Sequence, residues 1–252
     1  MGGKLLVTAG ANGIGAQIAR TFHAAGYDVF ICDVDVAGME ALADELPGIG
    51  TAQCDVGDRE AVRAMVAAAA RHLGGLDVLV NNAGVPGPTA PLQSLDPDEW
   101  DRVVQVNLTG TFNVSQAAIP HLIAAGGGNI INMSSVAGRV GYPNRSPYAS
   151  TKWAIIGLTK TLSIELGRHD IRVNALLPGA VAGPRADLVF ERRAAANGST
   201  VAQEIELALA NQSLKALVEP SEIAAMALFL ASGAAKSITG QAISIDGDMQ
   251  HA

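Results

Sequence analysis

The sequence predicts an α/β fold, a doubly wound parallel sheet of seven strands with helices on both faces. Two observations predict this class. Short apolar runs alternate with helical patterns along the chain, which is typical of parallel strands joined by crossover helices. No internal repeat, low-complexity tract or linker interrupts this alternation in the 252 residues. We therefore expect residues 1–252 to form a single domain.

The strands are predicted from short apolar runs that are bounded by turn residues. Six runs fit well, and a seventh strand is expected within Ile238–Gly247 near the end of the chain. The six are Lys4–Thr8, Asp28–Asp33, Thr51–Cys54, Leu76–Val80, Asn129–Met133 and Ile171–Leu177.

The helices are predicted where a capping residue or a proline precedes an apolar pattern with helical spacing. Asp96 is the predicted cap of a long helix from Pro97 through about Ala125, and Ser221, after Pro220, caps a helix that ends at Ala231. The other predicted helices are Gln17–Ala25, one from near Val36, and one from near Pro147 to Leu166.

The charge and hydropathy of the chain argue against two classes of partner. Its formal net charge is −7, whereas a nucleic-acid or anionic-membrane binder needs a basic field. No apolar run approaches the roughly 18 residues of a membrane span. The first strand starts at Lys4, so we expect no signal peptide and a cytoplasmic protein.

The cysteines and histidines predict neither a disulfide nor a metal site. Cys32 and Cys54 each end an apolar run, which indicates buried thiols in a reduced protein. The five histidines are scattered without the spacing of metal ligands.

A glycine turn joins the first predicted strand to the helix that follows. Gly10, Gly13 and Gly15 let the backbone come close to a pyrophosphate, whose charge the positive end of the helix would hold. Any tight turn can be rich in glycine, but the position between strand and helix favours dinucleotide binding.

Asp33 ends the second predicted strand, eighteen residues after Gly15. A carboxylate there bonds the ribose hydroxyls of NAD and repels the 2′-phosphate of NADP. No Lys or Arg lies in the glycine turn or closely follows Asp33, so NAD is the predicted cofactor. The alternative is that Asp33 caps the helix near Val36, and one residue could do both.

The stretch from Asn129 to Lys152 contains the predicted catalytic groups. Tyr148 and Lys152 are four residues apart, which places them on one face of a helix. A nearby ammonium lowers the pKa of a phenol and so favours its use as a general base. Ser135 follows a strand end, where open α/β sheets bind their ligands. An isolated Tyr–Lys pair at this spacing more often lies on a plain helix surface.

Ser135, Tyr148 and Lys152 resemble the catalytic trio of the short-chain dehydrogenase/reductase family, and the resemblance covers essentially the whole chain. It implies a single Rossmann-type domain and a homotetramer. In the family, a catalytic Asn holds a water in the proton relay, and Asn107 is the residue of this chain that matches it. The alternative is an ordinary solvent-facing Asn, which would look no different in the sequence.

The resemblance also implies a set of cofactor contacts, with Asp55 and Val56 at the adenine, the Asn82-Ala83-Gly84 turn at the ribose and the backbone of Val181 at the carboxamide. Two positions depart from the family pattern, which has Gly where this chain has Ala9 and Thr where it has Gly183. The full predicted set is Gly10, Asn12, Gly13, Ile14, Gly15, Asp33, Asp55, Val56, Asn82, Ala83, Gly84, Tyr148, Lys152, Pro178 and Val181.

A polar insertion at about residues 184–216 is predicted to form a substrate lid. Its pattern is helical with a break at Asn197–Thr200, and it contains Arg185, Arg192 and Arg193. Arg185, beside the preceding turn, could clamp an anionic substrate group; the alternative is that these arginines lie on the surface and pair with Glu191 or Asp187.

The predicted function is hydride transfer between NAD and a secondary alcohol, or a sugar or polyol hydroxyl, with Tyr148 as the acid/base. Two alternatives stay open: a 3-oxoacyl thioester reductase and a catalytically idle NAD-binding sensor or scaffold. The sequence fixes neither the substrate nor the physiological direction.

Overall fold

The strands form a single parallel sheet of seven, as the sequence predicts. The structure is a computed structural model that describes residues 2–250, with only the backbone of Arg185. The order across the sheet is β3-β2-β1-β4-β5-β6-β7, and every pairing is parallel. The strands are β1 (Lys4–Thr8), β2 (Asp28–Asp33), β3 (Gly50–Gln53), β4 (Val78–Asn81), β5 (Gly128–Met133), β6 (Ile171–Pro178) and β7 (Ala242–Ile245).

Helices cover both faces of this sheet, which confirms the doubly wound Rossmann-type fold. Four short 3₁₀ turns also occur in the described residues, at Leu92–Ser94, Val136–Gly138, Gly167–His169 and Gly233–Ala235. The helices are α1 (Gly13–Ala24), α2 (Val36–Glu45), α3 (Arg59–Leu73), α4 (Pro97–Val104), α5 (Gly110–Ala124), α6 (Ser146–Leu166), α7 (Pro184–Asn197), α8 (Val201–Ala210) and α9 (Pro220–Ala231).

Two hydrophobic clusters form the core, one on each face of the sheet. Side chains alternate between the faces along a strand, so Leu5 and Val7 of β1 join the cluster under α1 and α9, whereas Leu6 joins the cluster under α3 and α5. Both faces of β1 are therefore buried, which explains its unbroken apolar run.

Two predicted helix starts and the bounds of one predicted strand are wrong. The first helix begins at Gly13 rather than Gln17, because the glycine turn already has helical hydrogen bonds. The last long helix begins at Pro220, with Glu219 as its cap in place of Ser221. The carboxylate of Glu219 accepts the backbone bond that a Ser would otherwise take. The final strand is limited to β7, shorter than the Ile238–Gly247 stretch.

The long helix expected from Pro97 is capped by Asp96 as predicted, but a π-helical segment, Gln105–Thr109, separates α4 from α5. Such a segment adds one residue to the turn, and it often marks a functional position. Asn107 lies in the middle of it.

The two thiols are buried as predicted. Cys32, in β2, and Cys54, which directly follows β3, are unbonded cysteines, and the Cys32 side chain is fully shielded from solvent. The contact with the Cys54 thiol, together with burial, raises the pKa of Cys32. No helix in the described part of the chain is long and apolar enough to cross a bilayer.

The strand order reverses direction between β1 and β4, the neighbours at the centre of the sheet. Connections from these strands leave towards opposite faces, which opens a crevice at their carboxyl ends. The candidate site lies in that crevice.

Candidate active site

A cleft of about 730 Å³ runs along the carboxyl ends of the central strands. Its lining includes residues from the glycine turn, the Asn82 turn, the end of β5, the start of α6 and the α7–α8 region. The predicted site residues that line it are Asn12, Gly13, Ile14, Asp33, Asn82, Gly84, Ser135, Tyr148, Lys152, Pro178 and Val181.

The glycine turn packs too closely for side chains. Gly13 has a φ of +53°, and a Cβ on Gly15 would lie 2.0 Å from the Ala9 carbonyl oxygen. Ala9 itself has a φ of +50°, so it adopts a left-handed conformation that favours glycine. Asn82 Nδ2 donates to the carbonyl oxygens of Thr8 (3.1 Å) and Ala9 (3.0 Å) and thereby fixes the turn.

Asp33 faces the glycine turn. Its Oδ2 accepts from Ala11 N at 3.0 Å, and its Oδ1 accepts from Val34 N at 2.7 Å and from Asp35 N at 3.1 Å. The alternative that Asp33 caps the following helix is wrong, because the Asp35 side chain takes that role by accepting from Gly38 N. Asp33 is thus held at the cleft by backbone donors.

The Tyr148 and Lys152 side chains lie together on the first turns of α6. Pro147 stands at the helix start, where its missing N–H leaves no bond unmade. Lys152 Nζ lies 5.6 Å from the centroid of the Tyr148 ring and donates to the Met133 carbonyl oxygen at 2.7 Å. Lys152 is only 3% exposed, so its charge acts through a medium that screens it weakly.

Ser135 lies at the end of β5 with an extended backbone, and its Oγ accepts from Ala137 N at 3.2 Å. The neighbouring Ser134 donates its Oγ hydrogen to the Lys152 carbonyl oxygen at 2.8 Å. This bond fixes the end of the strand against the helix that presents Tyr148. Ser135, Tyr148 and Lys152 consequently line one end of the same cleft.

Asn107 is 1% exposed, so the alternative of a solvent-facing side chain is wrong. Its Oδ1 accepts from Val85 N at 2.7 Å, and its Nδ2 donates to the Val85 carbonyl oxygen at 3.0 Å. Nδ2 also reaches Thr151 Oγ1 at 3.3 Å. Asn107 therefore links three elements behind the cleft. It belongs to the π-helical segment, and its side chain bonds both the turn after β4 and helix α6.

Comparison with known proteins identifies the family. A profile described as enoyl-(acyl carrier protein) reductase matches residues 8–250. The chain belongs to the short-chain dehydrogenase/reductase family. The 3-oxoacyl-(acyl-carrier-protein) reductase FabG of Thermotoga maritima is 36% identical to this dehydrogenase over 248 residues, which are 97% of this chain and 96% of the relative.

Two solved structures of other proteins match this dehydrogenase along nearly its full length. NAD⁺-bound xylitol dehydrogenase superposes with a TM-score of 0.92 at 30% identity, covering 96% of this chain and 97% of that one. A variant of actinorhodin polyketide ketoreductase with NADPH gives 0.93 at 33% identity, covering 97% and 96%. The chain is accordingly an NAD(P)-dependent oxidoreductase that acts on alcohol or ketone groups.

The other predicted site residues of this dehydrogenase lie outside the cleft lining. Gly10 packs on Ile31, where a Cβ would come within 2.6 Å of its side chain, and Val56 packs on Gly110. Asp55 is exposed and accepts from Gly57 N. Every predicted contact with a cofactor stays a prediction, those of Gly15 and Ala83 included, and so does the catalytic role of Asn107.

The departure at Gly183 has a conformational cause. Gly183 caps α7 with a φ of +126°, and a Cβ there would meet nothing within 4 Å. Space is available, but a Thr would be strained in this backbone conformation. The positive φ therefore accounts for Gly at this position in place of the family's Thr.

Arg145, one of the residues before Tyr148 that the sequence places at the substrate pocket, lines the cleft, but its contact with the Tyr148 ring was not predicted. It lies three residues before Tyr148 and is 3% exposed, with Cζ 5.0 Å from the centroid of the Tyr148 ring. Arg145 Nη2 donates to the Pro86 carbonyl oxygen at 2.8 Å. Arg145 directly precedes α6 with a non-helical backbone, so helical spacing does not predict its contact with Tyr148.

The insertion places one of its arginines in the cleft. Arg193 lines the cleft and donates to the Tyr142 hydroxyl, so its expected surface pairing with Glu191 or Asp187 is wrong. The side chain of Arg185, the predicted clamp, lies outside the described atoms.

The end of the chain also reaches the cleft. Gln250 N donates to the Asn211 carbonyl oxygen at 2.9 Å, and Leu214 N donates to the Gly247 carbonyl oxygen at 3.0 Å. These bonds hold Met249, which is 5% exposed, in the cleft wall.

Proposed function

We propose that this protein is an NAD-dependent dehydrogenase that oxidises a secondary alcohol, with Tyr148 as the general base. The observation that carries the proposal is the position of the Tyr148 ring, flanked by two buried cations, Lys152 and Arg145, at the end of the cleft that also holds Ser135. Positive charge on both sides of a phenol favours its ionised form.

The residues of the cleft fit a dinucleotide. Gly13 and Ile14 bring the N-terminus of α1 to its lining, where the positive end of the helix suits a pyrophosphate. Asn82 and Gly84 would face the ribose, and Val181 the nicotinamide end. When bound, the nicotinamide ring accepts the hydride or supplies it.

The protein side of the reaction is a proton transfer at one oxygen. Tyr148 Oη removes the proton from the substrate hydroxyl, and Ser135 Oγ donates a hydrogen bond to the same oxygen and positions it. Lys152 stabilises the phenolate and is itself held by Met133. Asn107, as a positioning residue, keeps the turn at Val85 and α6 in register and supports a water through which the proton leaves.

Asp33 supports NAD over NADP. Among the charged side chains that line the cleft, Asp33 is the one at the glycine turn, and no described arginine or lysine lines that end. A 2′-phosphate at this position would meet a carboxylate without a neutralising cation. The relatives include both an NAD⁺ and an NADPH complex, so the choice depends on this residue.

The insertion at 184–216 acts as the substrate lid of a single domain. Its helices α7 and α8 contribute Phe190, Arg193 and Leu207 to the cleft wall. The lid would close over the substrate and exclude water from the transfer.

A homotetramer is supported by exposed apolar side chains on two helices. Phe112 of α5 is 41% exposed, and Trp153 and Ile164 of α6 are 52% and 82% exposed. Large apolar side chains of this kind are typical of faces that pack against another subunit.

Reduction of a 3-oxoacyl thioester is the second candidate, favoured by the similarity to the Thermotoga maritima reductase. That reaction runs in the opposite direction at the same tyrosine, with Tyr148 as the acid. An idle NAD-binding protein is less compatible with a chain that keeps Ser135, Tyr148, Lys152 and Asn107.

The test is NADH formation from NAD⁺ over a panel of polyols, aldoses, hydroxy acids and cyclic secondary alcohols. We expect turnover in one class and weak activity with NADP⁺. Turnover confined to ketones or acyl thioesters with NADPH would support the reductase instead. No turnover in either direction, with NADH still bound, would contradict both enzymes.

A further inference from the structure

The charges that line the cleft are unevenly distributed. Asp33 is the one acidic side chain of the described lining, and it lies at the glycine turn. The other charged residues of the lining are Arg145, Lys152 and Arg193, all cationic. The chain as a whole carries a net charge of −7, so this cationic end contrasts with the rest of the molecule.

Two arginines and two tyrosines alternate along this end of the cleft. Arg145 Cζ lies 5.0 Å from the ring centroid of Tyr148 and 5.7 Å from that of Tyr142. Arg193 Cζ lies 5.0 Å from the same Tyr142 centroid, and Arg193 Nη2 donates to the Tyr142 hydroxyl. Tyr142 thus holds Arg193 at a fixed place, separated from the reacting Tyr148 by Arg145.

The roles of the three cations differ. Lys152 and Arg145 flank Tyr148 and donate to the carbonyl oxygens of Met133 and Pro86. A guanidinium has five N–H donors in a planar fork. Among the described atoms, the Arg193 side chain makes one hydrogen bond, which it donates to the Tyr142 hydroxyl. Its remaining donors can therefore serve a ligand.

Arg193 forms no ion pair within 4 Å with a described acidic side chain. Glu204, which interacts with Arg193 electrostatically, accepts at Oε1 from Asn197 Nδ2 (3.0 Å) and Ser199 Oγ (2.5 Å). That carboxylate is thus committed within the lid.

Much of the cleft wall that the lid and the last described residues supply is apolar. Val189 and Phe190, on the same helix as Arg193, line the cleft, as does Met249, and Phe190 and Met249 are almost fully buried. A polyol would leave hydroxyls without partners against such walls, at an energetic cost for each. An apolar body with one anionic group matches both the walls and the guanidinium.

We propose that the substrate is a hydroxy acid with an apolar, aliphatic or cyclic body, and that Arg193, fixed by Tyr142, binds its carboxylate. This rests on the proposed function, because the alcohol of the same molecule must reach Tyr148. Arg193 is then a specificity residue that holds the acid while its hydroxyl reacts at the far end of the arginine–tyrosine array. A planar guanidinium suits a carboxylate better than it suits an amide.

Binding tests the carboxylate site without requiring turnover. Cyclohexanecarboxylate and its neutral isostere cyclohexanecarboxamide are titrated by calorimetry into the NADH-loaded protein, with Arg193→Gln and Arg192→Gln as variants. Arg192 is an exposed neighbour on the same helix and does not line the cleft. We expect the acid to bind about 10-fold to 100-fold more tightly than the amide, and Arg193→Gln alone to abolish that preference.

Turnover provides the second measurement. Secondary hydroxy acids are compared with their carboxamides, and kcat/KM for the acids should fall about 10-fold to 100-fold in Arg193→Gln, with little change for the amides. Equal binding of acid and amide to the wild type would overturn the carboxylate site, even if neutral alcohols are oxidised. Preferred binding of the acid with no oxidation of any alcohol would keep the site and overturn the proposed reaction.

Discussion

The carboxamide of Asn107 clamps the backbone of Val85 from both sides, accepting from its N–H at 2.7 Å and donating to its carbonyl oxygen at 3.0 Å. The two residues are separated by 22 positions in the chain. Through this clamp the π-helical segment holds the turn that follows β4, next to Gly84 in the cleft.

Replacing Asn107 with Leu should lower the free energy of unfolding by about 2–4 kcal/mol, because two partly buried backbone groups of Val85 lose their partners. We also expect weaker binding of NADH, since the adjacent turn is released. Chemical denaturation and NADH titration measure the two effects. Gln105→Ala, at an exposed position of the same segment, is the control, and equal losses in both variants would contradict the clamp.

Replacing Ala9 with Gly should stabilise the protein by about 1 kcal/mol. Ala9 has a φ of +50°, which costs a residue with a Cβ about 1–2 kcal/mol and costs glycine almost nothing. The gain in conformational freedom of the unfolded chain offsets part of this. Thermal unfolding is the measurement, and Ala11→Gly, at a buried position without positive φ, should instead destabilise. A decrease in Tm for Ala9→Gly would count against strain at Ala9.

Replacing Asp33 with Asn should reduce the preference for NAD⁺ over NADP⁺ by about 10-fold or more, because the charge that repels the 2′-phosphate is removed. Steady-state kinetics with both cofactors give the ratio of kcat/KM. Asp28→Asn, at the exposed opposite end of β2, should leave the ratio unchanged. An unchanged ratio in Asp33→Asn would show that other residues select the cofactor.

The stability of the lid should depend on the ionised carboxylate of Glu204, and it should therefore decrease at acid pH. Hydrogen bonds from Asn197 and Ser199, helped by the charge of Arg193, lower the pKa of Glu204. A lowered pKa means that the stabilisation is complete above the unfolded value, about 4.3, and is lost as the pH falls through the lower folded value.

Hydrogen exchange in α8 measures this dependence. At pH 7 we expect faster exchange in Glu204→Gln than in the wild type, and the difference should close as the pH falls below about 4. Glu206→Gln, exposed on the same helix, is the matched control. A constant difference between pH 7 and pH 3 would exclude the ionised carboxylate as its cause.

Local patterns were enough to predict much of the fold and the arrangement around Tyr148. Lys4–Thr8 was predicted at its observed bounds because a short apolar run between turn residues is typical of a buried strand. Tyr148 and Lys152 share a face because helical spacing alone places them there.

Other features depend on contacts that local patterns do not encode. The π-helical segment adds one residue to a helix whose apolar pattern looks regular, so the sequence pattern gives no sign of it. Glu219 replaced Ser221 as a cap because its carboxylate takes part in a reciprocal pair with Glu222. Arg193 meets Tyr142 across 51 positions, and no pattern within the lid predicts that contact.

The central claim is that Tyr148 transfers the proton, and the rate of NADH formation in Tyr148→Phe tests it most directly. The matched control is Tyr27→Phe, which removes a tyrosine hydroxyl outside the cleft lining. We expect kcat to fall about 100-fold to 10,000-fold in Tyr148→Phe, with NADH still bound, and to change far less in Tyr27→Phe. Turnover by Tyr148→Phe at the wild-type rate would contradict the account.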